Sequence, residues 1–236
     1  MVDFLRPKNY PIMVSPNLKH AWVNIPKNCS SFIQKILYDN DWTIVQPEYA
    51  ENYIDLVDSI LSSKSVEKIV ILRDPVQRWI SGFAETFGIQ EYRDSNVKIN
   101  LNDLFNLLSN DAWWKIVYQN PVMCHHTEVQ HRFIWNAKNV KYIKMQDKNP
   151  IDQGHVVTNP NKFFVELTNY ISYTGGTSDF QNWKELINPA HSDKNKLLVY
   201  NKILECIKNN KNILDELKNA LYEDYNLFYN LEKFKR

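Results

Sequence analysis

Ala21-Trp22-Val23-Asn24-Ile25-Pro26-Lys27-Asn28-Cys29-Ser30-Ser31-Phe32 and Ile69-Val70-Ile71-Leu72-Arg73-Asp74-Pro75-Val76-Gln77-Arg78-Trp79-Ile80-Ser81 are built to one plan. Each starts with a short apolar run, turns through a polar loop and enters a helix. Residues 21–25 stop at Pro26, and residues 68–72 are dense in β-branched side chains, so both read as buried strands. After the first loop, Ser30 or Ser31 is placed to cap a helix in which Phe32, Ile33, Ile36 and Leu37 recur at helical spacing. After the second, Asp74 stands at the N-cap and Pro75 at the first helical position, and Ile80, Phe83, Ala84 and Phe87 continue the helix. Strand, loop and helix in this alternation predict an α/β fold with a central parallel sheet flanked by crossover helices.

Working outward, residues 1–20 are rich in Pro and Asn and read as an extended lead-in. Thr43–Val45 is a candidate strand, and Tyr53, Ile54, Val57, Ile60 and Leu61 form a helical stripe. Residues 101–108 are amphipathic, residues 127–135 suit a shorter helix, residues 140–145 a further strand and residues 163–170 another helix. Thr174-Gly175-Gly176-Thr177-Ser178 is the clearest loop. Two helical patterns close the chain: Leu197, Leu198, Ile203, Leu204 and Ile207, then Ile213, Leu214, Leu217 and Leu221. No repeat, low-complexity tract or linker interrupts the chain, so residues 1–236 are expected to form a single domain.

The composition narrows the function classes. With 44% hydrophobic residues the chain can bury a normal core, and a net charge of +1 argues against a nucleic-acid coat or a polybasic membrane binder. The three cysteines, Cys29, Cys124 and Cys206, are too few and too far apart for a disulfide framework or a zinc cluster. The N-terminus lacks the basic segment and apolar run of a secretory signal, and no apolar run approaches the ~20 residues of a membrane span. A cytoplasmic location is the expectation. Glycine numbers only five, so any phosphate-binding loop has to be built from other residues.

The two loops carry the chemistry. In open α/β sheets ligands bind beyond the carboxyl ends of the strands, where free N–H groups at the start of the next helix favour an anion. Lys27 adds a positive charge there, and Ser30 and Ser31 add hydroxyl donors. This is the logic of a Walker loop without its glycines, and the Walker pattern itself is absent. The plain alternatives are a solvated Lys27, serines that only cap, and Cys29 as a small loop residue with no histidine close behind it to activate the thiol. In the second loop the Arg73 fork suits a phosphate monoester. Ser81 falls on the same helix face as Asp74 and Arg78. Pairing of Arg73 with a carboxylate and exposure of Ser81 is the competing account of that loop taken alone.

Together the two segments resemble the cofactor motifs of the sulfotransferases that use PAPS (3′-phosphoadenosine 5′-phosphosulfate). They are most similar to the carbohydrate sulfotransferases of the Golgi type and bacterial family 2, whose second motif reads Arg-Asp-Pro, then Arg, then Ser. The resemblance implies a three-layer P-loop-like fold and transfer of a sulfuryl group from PAPS to an acceptor hydroxyl, on a carbohydrate in this branch, with PAP as product. It implies that Lys27, Asn28, Cys29, Ser30 and Ser31 hold the 5′-phosphosulfate, and that Arg73 and Ser81 hold the 3′-phosphate. His126-Thr127-Glu128-Val129-Gln130 is similar to a His-Phe-x-Pro-Gln segment of the group. Leu221-Tyr222-Glu223-Asp224-Tyr225-Asn226-Leu227-Phe228 resembles its Tyr-x-x-Asp-Tyr-x-Leu-Phe ending. Asn28 and Cys29 depart from the small and hydroxylic residues usual in the first motif.

An in-line displacement of this kind needs charge stabilisation on the leaving oxygen, which falls to Lys27 and the helix amides, and a base for the acceptor proton. His126, Glu48 and Glu85 are the base candidates, with His125 beside them. A zinc reading of His125, His126 and His131 fails on spacing, since His126 and His131 at i, i+5 diverge on a helix. No metal is called for. Trp113, Trp114 and Tyr118 are either a stacking face for a sugar ring or core. Lys194 and Lys196, after His191, either reach the 3′-phosphate or start a helix in solvent. The acceptor pocket is expected from residues 46–60 and 88–130. Two rivals come from other classes: a kinase-like nucleotide transferase, which needs a glycine-bearing loop and an acidic magnesium ligand, and a non-catalytic nucleotide- or glycan-binding protein of the same fold.

Overall fold

The computed structural model describes residues 11–45, 52–88, 127, 129–145, 160–174 and 194–230. The chain divides into two compact units, one of residues 1–74 and 130–188, the other of residues 75–129 and 189–236.

The first unit holds the sheet. Its strands are β1 (Ile12–Val14), β2 (His20–Val23), β3 (Thr43–Val45), β4 (Glu67–Leu72) and β5 (Val140–Lys144). They lie in the order β3-β1-β2-β4-β5. β2, β4 and β5 are parallel, with Val23 opposite Val70 and Leu72 opposite Lys144. β1 runs antiparallel to both β2 and β3, so the sheet is mixed and the expected all-parallel arrangement holds only for three of its strands. The cause is the short link between β1 and β2, which can join only antiparallel neighbours. That link is a local polar turn: the Ser15 hydroxyl donates to Asn17 Oδ1 (2.8 Å), and the His20 amide donates to Ser15 Oγ (3.0 Å). Leu18 takes a left-handed φ of 58° within it. The extended lead-in expected over residues 1–20 is thus replaced, from Ile12, by a strand and a hairpin turn.

Alternation along the strands sends Met13, Trp22, Ile69, Ile71 and Ile143 into one buried cluster. Helix α1 (Ser30–Tyr38) contributes Phe32, Ile33, Ile36 and Leu37 to that cluster. A later helix of the unit, Pro160–Tyr173, contributes Phe163, Leu167, Tyr170 and Ile171. The alternate set, Ile12, Val14, Ala21, Val23, Val70 and Leu72, is buried as well. A sheet buried on both faces accounts for the near-continuous apolar runs of β2 and β4. Edge strand β3 is half exposed. Helix α2 (Tyr53–Ser62) buries Tyr53, Val57 and Leu61, part of the stripe expected there.

The second unit is helical in its described part. Helix α3 (Pro75–Gly88) begins at Pro75, as expected, and buries Val76, Trp79, Ile80 and Phe83 at helical spacing. Of the shorter helix expected over residues 127–135, α4 (Gln130–Phe133) in the first unit forms the regular part. With the helix Pro160–Tyr173 as α5, the C-terminal segment forms α6 (Lys194–Asn209), α7 (Lys211–Ala220) and α8 (Tyr222–Tyr229). The chain end therefore holds three helices where two patterns were legible. The Asn210 side chain caps α7, accepting from the amides of Asn212 (3.2 Å) and Ile213 (3.3 Å). α3 packs on α6 and α8. Among the described residues no helix is long and apolar enough to cross a membrane.

Candidate functional site

The end of β2 and the end of β4 lie side by side, because these strands are parallel neighbours. The first loop leaves Val23 through Asn24, Ile25 and Pro26, all buried, and reaches Lys27. Lys27 and Cys29 both take left-handed φ angles, 68° and 58°, and Asn28 between them does not. The helical region follows at Ser30. Alternation of hand over successive residues is the signature of a nest, a backbone form that binds anions, although the central Asn28 amide itself donates to the Ile25 carbonyl at 3.3 Å. A left-handed conformation costs a non-glycine residue roughly 1–2 kcal/mol, so the loop stores strain at two positions. The loop takes these left-handed angles with no glycine at either position.

Helix α1 begins here without a side-chain cap. Cys29 occupies the N-cap position and makes no capping bond. Its carbonyl accepts the first helical bond from the Ile33 amide at 3.0 Å, which leaves the Ser30 and Ser31 amides ahead of the hydrogen-bonded turn. The expected serine cap is corrected: Ser30 donates its hydroxyl to the Ile25 carbonyl at 3.1 Å, bracing the loop from within. An uncapped N-terminus beside a nest leaves donors and the positive end of the helix dipole available to an anion.

The second loop is tied to the first by side chains. Asn28, 1% exposed, uses both amide hydrogens inside the protein: Nδ2 donates to the Ile71 carbonyl (2.7 Å) and to Gln130 Oε1 (2.7 Å). Gln130, on the first turn of α4, also accepts from the Arg73 amide (3.1 Å), and its Nε2 donates to the Arg73 carbonyl (2.9 Å). From the other side Arg73 Nη1 donates to the Lys27 carbonyl at 3.0 Å. The Arg73 guanidinium thus lies against the first loop. Burial pushes the Cys29 thiol above its ordinary value, and the nearby Arg73 charge opposes that rise. A thiol held protonated is a poor nucleophile, so Cys29 serves the loop by shape.

Two buried polar atoms of this cluster, Asn28 Oδ1 and Arg73 Nε, have no hydrogen-bond partner among the described residues. An unmatched guanidinium donor beside a nest is what an anion would satisfy. Among the described residues no group of three His, Cys, Asp or Glu side chains is placed to hold a metal.

Of the residues singled out in the sequence, Lys27, Asn28, Cys29, Ser30, Ser31 and Arg73 are gathered at this one end of the sheet. Lys27, Cys29, Ser30 and Arg73 are half-buried and Ser31 is exposed. Ser81 and Glu85 lie on α3 in the second unit, both half-buried. Arg78 on the same helix is 1% exposed. Glu48, His125, His126, Trp113, Trp114, Tyr118 and His191 lie outside the described residues, as do residues 101–108 and 175–178. Lys194 and Lys196 fall within α6. Sequence reasoning gave Gln130 no task of its own; the signal for one was a polar side chain between Val129 and Phe133, both buried.

No protein-family model, no curated protein and no solved structure matches the chain.

Proposed function

We propose that the chain is a PAPS-dependent sulfotransferase that transfers a sulfuryl group to an acceptor hydroxyl, with a carbohydrate as the acceptor class. The observation that carries this reading is the pairing of a glycine-free anion nest with Arg73, one on each of two adjacent parallel strands, in a chain whose motifs there resemble that family. On the same reading the mixed α/β sheet is the core of a three-layer P-loop-like fold.

PAPS, when bound, supplies the sulfuryl group for in-line displacement by the acceptor oxygen, with PAP as the leaving product. Lys27 and the amides of Ser30 and Ser31 would hold the 5′-phosphosulfate and offset the charge that grows on the bridging oxygen. Arg73 would hold the 3′-phosphate, a role that the resemblance gives to Ser81 as well. A base among His126, Glu48 and Glu85 would take the acceptor proton. The kinase-like rival is the weaker reading, because the loop has no glycine and Asp74, 0% exposed, is no open magnesium ligand.

The test is thermal unfolding with ligands. At a hundredfold excess over its Kd, a ligand adds about 2.7 kcal/mol, roughly 5–10 °C in a chain of this size. PAP is expected to raise the Tm by that order, and ATP with magnesium to do markedly less. Absence of a PAP shift, or an undiminished shift in Arg73→Ala, overturns the reading. Turnover of labelled PAPS against a panel of sugar acceptors separates the enzyme from a binding protein of the same fold.

A further inference from the structure

Lys27, Ser30, Ser31 and Arg73 matter for what they can offer a ligand, but Gln130 is 0% exposed and its carboxamide is engaged inside the protein. We propose that Gln130 is a positioning residue: it holds the two anion loops at one fixed separation, so that a ligand with two anionic groups meets both at once. The proposal rests on reading the site as one for a nucleoside bisphosphate.

The bonding is specific. Gln130 exchanges an N–H and a C=O with the backbone of Arg73, as a neighbouring strand would, which fixes where the chain leaves β4. The same Oε1 accepts from Asn28, whose other amide hydrogen goes to Ile71 on β4. The Arg73 guanidinium completes the circuit on the Lys27 carbonyl. An apolar residue at position 130 would leave the buried Asn28 amide and the half-buried Arg73 N–H and C=O each short of a partner. The loops would then drift relative to each other while each kept its own backbone form. For a ligand joined at two points, the second contact forms at an effective concentration that depends on the distance between the sites. A loose distance lowers the affinity for the doubly anionic ligand and spares the singly anionic one. A residue that merely stabilises the unit would weaken both alike.

The experiment compares the full chain with Gln130→Ala and Gln130→Glu. PAP and adenosine 5′-monophosphate are titrated by calorimetry, and amide hydrogen exchange is followed without ligand. Gln130→Ala is expected to weaken PAP on the order of 30-fold and the monophosphate by no more than about threefold. Gln130→Glu keeps the acceptor for Asn28 and for the Arg73 amide but sets a carboxylate against the Arg73 carbonyl, so it should fall between. Without ligand, exchange in Gln130→Ala should rise together in residues 24–33 and 71–74. Equal losses for the two ligands overturn the proposal, and so does exchange that rises around residue 130 alone. Should the wild-type chain bind neither ligand, the sulfotransferase reading falls while the exchange comparison still decides whether Gln130 couples the loops. Should Gln130→Ala not fold, Gln130→Glu carries both comparisons.

Discussion

The two ends of the parallel strands differ in what surrounds their polar groups. At the starting end, His20, Glu67 and Lys141 stand on neighbouring strands, with His20 directly opposite Glu67. Aromatic rings of α5 stand against the buried His20 and the exposed Lys141: His20 meets Tyr170 edge-on at 5.8 Å and Tyr173 at 5.7 Å, and Lys141 Nζ lies 4.7 Å from the Tyr170 ring centre. Burial, reinforced by the Glu67 carboxylate, pushes the Tyr170 phenol far above its ordinary range. At the finishing end the Arg73 guanidinium lies against the first loop. Both ends hold a buried polar atom without a partner among the described residues, His20 Nδ1 at one and Arg73 Nε at the other, and what sets the finishing end apart is two left-handed residues in one loop and a helix that starts uncapped. Polar groups set against aromatic rings serve the fold, and on the proposed reading those beside strained backbone would meet a ligand.

The sharpest way to break that contrast is to strip the finishing end of its Lys27 cation. Lys27→Ala should lower sulfuryl transfer on the order of 10²–10³-fold while PAP binding falls far less. Equal losses in turnover and binding would sink the charge-stabilising role. Asn28→Ala comes next: it removes two hydrogen bonds from buried partners and should cost about 1–3 kcal/mol in denaturant unfolding. A neutral result would mean that the bridge between the loops carries no load.

Lys68, the second residue of β4, tests the buried start of that strand. Its ammonium is fully buried and donates to the carbonyls of Val66 (2.8 Å) and Ser63, and burial, with Lys138 adding to it, lowers its pKa to about 8. The folded state therefore releases this proton before the unfolded chain does. Stability should rise as pH climbs from about 8 toward 10.5, and Lys68→Met should remove that slope in urea midpoints measured across the window. A smaller effect of the same sign is expected at the starting end. Burial lowers the pKa of His20, against the pull of Glu67, so stability should fall as pH drops below 6.5. His20→Gln should flatten the profile there, and an unchanged profile would show that His20 is not the group responsible. The smallest effect concerns Cys29→Gly. Relief of the left-handed strain is offset in part by the freer unfolded chain, for a net gain of up to about 1 kcal/mol. A β-branched Cys29→Val should destabilise instead.

The sequence made strands legible where they were buried and β-branched, as at Ile69-Val70-Ile71, and helices where caps and spacing agreed, as at Pro75. It hid β1 because Ile12-Met13-Val14 is too short to show a period and sits between Pro11 and Pro16. The mixed sheet followed from that miss, since direction depends on a turn held by Ser15 and Asn17 and not on apolar pattern. At the site, the residues with obvious charge were legible: Lys27 and Arg73. The connection between them was not, because Asn28 and Gln130 act through geometry that residue type does not announce. Asn28 looked like a departure from a motif, whereas its amide is the bridge between the loops. Ser30 looked like a cap and proved to be a brace.

One property of the first loop bears on how a ligand would be met. Loops that cradle phosphates with glycine are supple and have to be ordered when the ligand arrives. Here Lys27, Asn28 and Cys29 each carry a side chain that limits the conformations open to the backbone, and Asn28 is anchored at two points. Little freedom is left to lose on association, so the entropic penalty of capture is met largely during folding. Such a site should bind with a rate set by diffusion and charge, with little rearrangement of the loop afterwards.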